Sequence, residues 1–206
     1  MTENYWDEIH KNYFTSDWAG KPSAFSQFVI KFFPQKGRLL DIGTGQGGDA
    51  KFFQSMGYKV VATDISLLAL KVAKKNVKDV EFLNLDTAEG LSFPDESFDI
   101  VYSQLALHYF DEKTTEKIFN NIYRILKSDG IFATITNTVE DPENKNYLRL
   151  EPDFYRNSKG ITKRYFSVES LEKFTKDLFN TIFIDNKGEA YKDKIKALIR
   201  FVGKKK

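Results

Sequence analysis

Eight consecutive residues, Asp41-Ile42-Gly43-Thr44-Gly45-Gln46-Gly47-Gly48, place a carboxylate and four glycines between an apolar run and a periodic one. Glycine lets the chain turn tightly and lets a ligand approach bare backbone, beside the positive end of the helix that follows. Two further acids recur at regular intervals. Asp64 closes the apolar run after Tyr58–Thr63, 23 residues beyond Asp41. That is the reach at which an acid meets a ribose, and a carboxylate there can accept both ribose hydroxyls. Asp86 follows the next run, 22 residues further on. Acids at the carboxyl ends of three successive strands define a ligand crevice.

Gly43, Gly45 and Gly48 also satisfy G-x-G-x-x-G, the fingerprint of dinucleotide binding, so a nicotinamide dehydrogenase is the first alternative. Asp41 argues against it. A carboxylate two residues ahead of the first glycine repels a pyrophosphate and attracts a cation, such as the ammonium of a methionine moiety.

The elements that must position these acids follow from periodicity. Two amphipathic helical stretches open the chain, the second starting at Pro22 and stopping before Pro34. Strands are then predicted at Arg38–Ile42, Tyr58–Thr63, Val80–Leu83, Phe98–Ser103 and Gly130–Thr136. Helices are predicted between them at Gln46–Met56, at Ser66–Val77 with Leu67, Leu70 and Val72 toward the core, and at Lys113–Leu126. A polar stretch over 137–165 reads as an excursion from the sheet. A helix capped by Ser167 over Val168–Phe179 comes next. The strands Thr181–Asp185 and Ile195–Val202 close the chain, with Ile195, Ala197, Ile199 and Phe201 alternating with Lys196, Leu198 and Arg200. Their short connection holds no crossover helix and so predicts an antiparallel pair. The expected fold class is α/β, a doubly wound, seven-stranded, mostly parallel sheet with an antiparallel last strand and helices on both faces.

On these residues the chain resembles the class I S-adenosylmethionine-dependent methyltransferases, over about residues 37–136 and more loosely at both ends. The resemblance implies the Rossmann-like methyltransferase fold, the cofactor S-adenosyl-L-methionine and methyl transfer. LLDIGTGQG resembles the family's first motif, so Asp41, Gly43, Thr44, Gly45 and Gly47 are expected to hold the methionine part of the cofactor. VVATDIS resembles the second, which puts Asp64 on the ribose and Ile65 on the adenine. LNLDTAEGLSFPDESFDIVYSQLALHYF resembles the third and fourth run together. It implies Asp86 at the adenine amine with Thr87 beside it, and Ser103 and Gln104 at the methionine end. LKSDGIFA resembles the motif leading into the fifth strand. The first helix carries Tyr5, Trp6, Tyr13, Phe14 and Trp18, and by the same resemblance Tyr5, Trp6 and Tyr13 lie over the cofactor, with Lys11 or Lys21 toward its carboxylate.

The division expected is a helical cap over 1–36, a cofactor-binding core over 37–136, an acceptor-recognition excursion over 137–166, and a C-terminal helix and strand pair over 167–206, all in one methyltransferase domain. A base is needed only when the acceptor must lose a proton, and His108, just past the fourth strand, is the candidate. Tyr109, Tyr155, Arg156 and Arg164 are the candidate acceptor contacts, in a stretch that also holds Tyr147, Arg149, Phe154 and Tyr165. His10 is given no role.

Composition narrows the rest. The chain has 206 residues, no cysteine and two histidines, so thiolate chemistry and an imidazole-rich metal site are not expected. No apolar run is long enough to cross a bilayer, and the polar N-terminus is unlike a signal peptide, so a cytoplasmic protein without a membrane partner is expected. Nine acids stand against Lys113 alone over residues 81–116, while residues 187–206 are basic, with Lys192, Lys194 and Lys196 among their cations. The acidic stretch beside the crevice, with no base-methylating signature at Ser103-Gln104-Leu105-Ala106, favours a small-molecule acceptor over nucleic acid. The alternatives are an RNA or protein methyltransferase, or a module that binds the cofactor without catalysis.

Overall fold

The computed structural model describes residues 2–14, 16, 19–142, 147–188 and 197–206. Trp18, Lys192, Lys194, Lys196 and the expected strand start at Ile195 lie outside them. Two helices come first, α1 (Glu3–Tyr13) and α2 (Ala24–Val29), the latter running into a 3-10 turn at Ile30–Phe32. Then β1 (Arg38–Ile42), α3 (Gly48–Ser55), β2 (Lys59–Asp64), α4 (Leu67–Asn76), β3 (Glu81–Asn84), β4 (Phe98–Gln104), α5 (Glu112–Ile125) and β5 (Leu126–Asn137) alternate. Short strands β6 (Leu148–Glu151), β7 (Phe154–Arg156) and β8 (Thr162–Arg164) precede α6 (Val168–Thr175), β9 (Phe179–Gly188) and β10 (Leu198–Lys205).

Side-chain caps start four of the helices. The Ser23 hydroxyl accepts from Ser26 N, Ser66 from Ala69 N and Asp111 from Thr114 N, while Ser167 and Ser170 form a reciprocal capping box.

The main sheet has seven strands in the order β3-β2-β1-β4-β5-β10-β9. β1 to β5 are parallel, and β10 runs antiparallel to both β5 and β9. Two apolar clusters cover its faces. Leu39 packs into one, with Phe53, Ala62 and Tyr102, and Leu40 and Ile42 pack into the other, with Phe119, Phe132 and Phe201. A strand covered on both faces reads as a continuous apolar run, which is why RLLDI shows no polar alternation.

β10 keeps the alternation expected of the last strand, with both of its faces covered. Leu198 and Val202 enter one cluster while Ile199 and Phe201 enter the other, because β10 is interior to the sheet, not at its edge. Leu67, expected in the core, is 52% exposed, and α4 turns Ala69, Leu70 and Ala73 inward instead. α6 ends at Thr175, so Phe179 opens β9 and does not end the helix.

The polar excursion is more ordered than its composition suggests. β6, β7 and β8 make a separate three-stranded antiparallel sheet. Its β7–β8 turn is closed by Asn157, whose side-chain oxygen accepts from Lys159 N and Ile161 N, and by Gly160 at φ +80°. Strands of three or four residues carry too few alternations to be told from a loop in the sequence.

Candidate functional site

The carboxyl ends of β1 to β5 open onto a cavity of about 1310 Å³, with α1 on one side and the small sheet on the other. The glycine loop is pinned to β2 by Gly43 N and Thr44 N, which both donate to Thr63 O at 2.8 and 2.9 Å. Gly43 sits at φ +75°, and a Cβ there would lie 2.3 Å from the Ala106 side chain, so no larger residue fits. Gly47, at φ +80°, turns away from the cavity: a Cβ there would press on Ala73, Val77 and Phe82, so it serves the packing of α3 against α4. Gly43, Thr44, Gly45, Gln46 and Gly48 line the cavity.

Asp41 lies beneath this loop, buried, and is not part of the cavity wall. The Thr44 hydroxyl donates to its Oδ2 at 2.6 Å. Burial, and then the neighbouring charge of Asp49, hold the Asp41 carboxyl well above the ordinary carboxylate range, against the pull of the Thr44 bond. Asp49 on α3 does line the cavity. It accepts from Ser23 N at 2.6 Å, Ser23 Oγ at 2.9 Å and Tyr102 Oη at 2.7 Å. Burial raises its pKa, and these bonds offset part of the rise. Two carboxyls this poorly solvated under a bare backbone loop favour a cation above them.

Asp64 ends β2 with its Oδ2 accepting from Gly45 N at 2.8 Å and its Oδ1 from Ser66 N at 2.9 Å. Burial raises its pKa, and the facing His10 imidazole pulls it down. Ile65, Leu85, Asp86 and Thr87 continue this wall, and Asp86 Oδ1 accepts from Ala88 N at 2.9 Å. Ser103 is buried off the cavity, its hydroxyl donating to Ile42 O at 3.0 Å and so tying β4 to β1; Gln104 lines the cavity. Leu105, next in the wall, holds φ +53°, a left-handed conformation that costs a leucine about 1–3 kcal/mol and that clusters at functional sites.

Beyond the bend, His108 lines the cavity and is almost wholly buried, its ring 4.3 Å from that of Tyr109. The Tyr109 ring meets Trp6 edge-on at 4.8 Å. The backbone of this loop is held from the small sheet: Arg164 N donates to His108 O at 2.6 Å and the Thr162 hydroxyl to Tyr109 O at 3.1 Å. The Arg164 guanidinium, also buried, donates to Phe110 O, Pro152 O and Glu151 Oε2, and lies over the Phe154 and Phe174 rings. Tyr155, Arg156 and Arg164 therefore stand outside the cavity wall, which the small sheet forms instead with Phe154, Asn157, Ser158, Lys159, Thr162 and Lys163.

From α1, Tyr5, Trp6, Ile9, His10 and Tyr13 face the cavity, while Lys11 pairs with Glu8 on the outside. The helix has no buried residue of its own. Asp7 fixes it, accepting from the Ser66 hydroxyl at 2.5 Å and from Leu68 N at 3.2 Å, at the start of α4. Lys21 also reaches the cavity.

Sequence reasoning passed over Gln46, Asp49 and His10. The Gln46 and Asp49 side chains gave no signal, since the partners of Asp49 come from Ser23 and Tyr102, far along the chain. His10 did leave one: Tyr5, Trp6, Ile9, His10 and Tyr13 share one face at helical spacing.

Residues 40–134 match the methyltransferase domain family. The chain is 36% identical over 111 residues to the uncharacterized methyltransferase YcgJ of Bacillus subtilis (strain 168), covering 51% of this chain and 43% of that protein. It is 25% identical over 162 residues to a malonyl-acyl-carrier-protein O-methyltransferase of Enterobacter lignolyticus, covering 78% of this chain and 61% of that one. The chain thus spans less than two thirds of these curated relatives. In fold it is similar to the 1,6-didemethyltoxoflavin-N1-methyltransferase of Burkholderia thailandensis, with a TM-score of 0.76 at 18% identity over 98% of this chain and 84% of that one.

Proposed function

We propose that the chain carries a class I S-adenosylmethionine-dependent methyltransferase domain and transfers a methyl group from S-adenosyl-L-methionine to a small-molecule acceptor. One observation supports this above the others. A single cavity has, along one wall, a glycine loop over the buried Asp41 and Asp49 carboxyls with Asp64 and Asp86 beyond it, and along the other an aromatic lining from Trp6, Tyr109, Phe110 and Phe154. The first wall suits a ligand with a cationic group, a ribose and an adenine; the second suits an apolar or planar acceptor.

In this reading Asp41 and Asp49 attract the methionine ammonium and Lys21 its carboxylate. Asp64 accepts from the ribose, and Ile65, Asp86 and Thr87 enclose the adenine. The bound cofactor supplies an already activated methyl group, so the chain's main work is alignment and exclusion of water. α1 covers the site from above. Where the acceptor is a hydroxyl or another group that must lose a proton, His108 takes it; where a free lone pair attacks, His108 is a wall. Residues 1–36 act as the cap, 37–136 as the cofactor core and 137–166 as the acceptor side.

Of the relatives whose names specify an acceptor, one is a ribosomal protein L11 methyltransferase, and more are named for small molecules or carrier-bound groups. One is named for O-methylation of a carrier-bound malonyl group and one for N-methylation of a heterocycle. Among the described residues no helix is long and apolar enough to cross a membrane, and no cluster suited to a metal ion occurs. The test is incubation of the protein with methyl-labelled cofactor and a cell extract later separated into metabolites, RNA and protein. Label is expected in the metabolites. Label confined to RNA, or to protein in a form not released by thioester cleavage, would overturn the acceptor class, and tight binding with no transfer to any fraction would favour a cofactor-binding module.

A further inference from the structure

We infer that His10 is a cofactor-holding residue, whose ring nitrogen accepts a hydrogen bond from one of the two ribose hydroxyls while Asp64 accepts from the other. The inference rests on the reading of the cavity as an S-adenosylmethionine site.

The starting point is an orphaned atom. Nδ1 of His10 is shielded from solvent and has no hydrogen-bond partner. A buried polar atom left unpaired costs about 1–3 kcal/mol, so such an atom in a ligand cavity marks a partner that arrives with the ligand. The ring lies between Trp6 and Tyr13, with centroids 6.5 and 5.9 Å away. Its edge rests over bare Gly45: a Cβ at Gly45 would come within 3.2 Å of Cε1 and 4.0 Å of Nδ1. Gly45 N is the same group that donates to Asp64 Oδ2 at 2.8 Å. The orphaned nitrogen and the ribose carboxylate thus flank one backbone residue.

Asp64 is already part-occupied as an acceptor. A carboxylate offers about four lone-pair sites. Gly45 N and Ser66 N occupy one on each oxygen. About one site on each oxygen remains, and a second acceptor nearby lets the two ribose hydroxyls be shared between two groups. A neutral imidazole accepts at one nitrogen, and Nδ1 of His10 is the unpaired nitrogen beside Gly45. Burial favours the neutral ring, against the opposite pull of the Asp64 and Asp7 charges. Asp7 itself is engaged with Ser66 and Leu68, which holds α1, and so His10, at this height above β2. Gly45 completes the arrangement, since any side chain there would meet the imidazole.

The experiment is calorimetric titration of the wild type, His10→Ala, His10→Asn and Asp64→Ala with S-adenosylhomocysteine and with its 2′-deoxy and 3′-deoxy ribose analogues. His10→Ala is expected to bind S-adenosylhomocysteine about tenfold more weakly than wild type, the scale of one hydrogen bond. It should bind one deoxy analogue no worse than the parent compound, because the lost hydroxyl and the lost nitrogen are partners. His10→Asn, whose amide oxygen accepts, should recover part of the affinity. With no buried residue in α1, neither change should lower the melting temperature. Equal affinity of His10→Ala and wild type, or an equal loss for the parent and both analogues, would overturn the role of His10. If Asp64→Ala also binds like wild type, or the wild type does not bind at all, the cofactor site itself is misplaced.

Discussion

The two walls of the cavity are made of different material. Along β1, β2 and β3 the wall is largely backbone: Gly43, Thr44 and Gly45 present main chain, and Asp41 and Asp64 fix that main chain through Thr44, Gly45 and Ser66. Across from it the wall is side chain, carried on α1, on the loop after β4 and on strands of three or four residues. A backbone wall accepts few substitutions, since a Cβ at Gly43 collides with Ala106. A side-chain wall can be relined without disturbing the sheet. The first, with His10 of α1 facing it, is therefore suited to one fixed ligand, and the loop after β4 and the small sheet to whichever acceptor a given chain uses.

If that contrast holds, changes in the loop after β4 and in the small sheet, unlike those in α1, move turnover or acceptor binding and leave cofactor affinity alone. The largest effect is expected at His108. For an acceptor that must lose a proton, His108→Gln should lower kcat by about 10²–10⁴-fold with an unchanged cofactor Kd. An unchanged kcat in a transfer assay would confine His108 to the lining. A smaller effect is expected at Arg164, which joins the small sheet to the loop carrying His108. Arg164→Met keeps the stem over Phe154 and Phe174 but loses its bonds to Phe110, Pro152 and Glu151. The KM for the acceptor should rise about tenfold, again at constant cofactor Kd. A change in cofactor Kd instead would show that the walls are coupled.

The smallest effect separates stability from binding on the near wall. Asp41 has its pKa raised by burial and by Asp49, so in the folded, ligand-free protein it holds its proton to higher pH than in the unfolded chain. Its contribution is favourable below the unfolded carboxylate value and is lost as pH rises through the folded one. Asp41→Asn should therefore raise the melting temperature of the ligand-free protein by about 2–4 °C at neutral pH, with little gain at acid pH. The same change should weaken cofactor binding, because the ammonium loses its counter-charge. A lower melting temperature, or unaltered binding, would remove Asp41 from that role.

The same contrast explains what could be read from the sequence. Asp41, Gly43, Gly45, Asp64 and Asp86 were legible because backbone geometry dictates both residue type and spacing. β1 was placed to the residue because it is a single apolar run between turns. Asp49 was not legible, since only the fold brings it to Ser23 and Tyr102. Arg156 and Arg164 look alike as cations in a polar stretch, yet Arg164 is buried against two rings and Arg156 is exposed. Gly47 reads as one more glycine of the loop, and only the packing of α3 on α4 gives it a different duty. The strained Leu105 leaves no mark in composition at all.

Central to this account is that the end of β2 holds the ribose of S-adenosylmethionine. Calorimetric titration of S-adenosylhomocysteine into the wild type and Asp64→Ala tests it most directly, with melting curves confirming that both are folded. Removing a carboxylate that makes charge-assisted hydrogen bonds should weaken binding by about 100-fold. Equal affinity in the two proteins would contradict the assignment of the cavity.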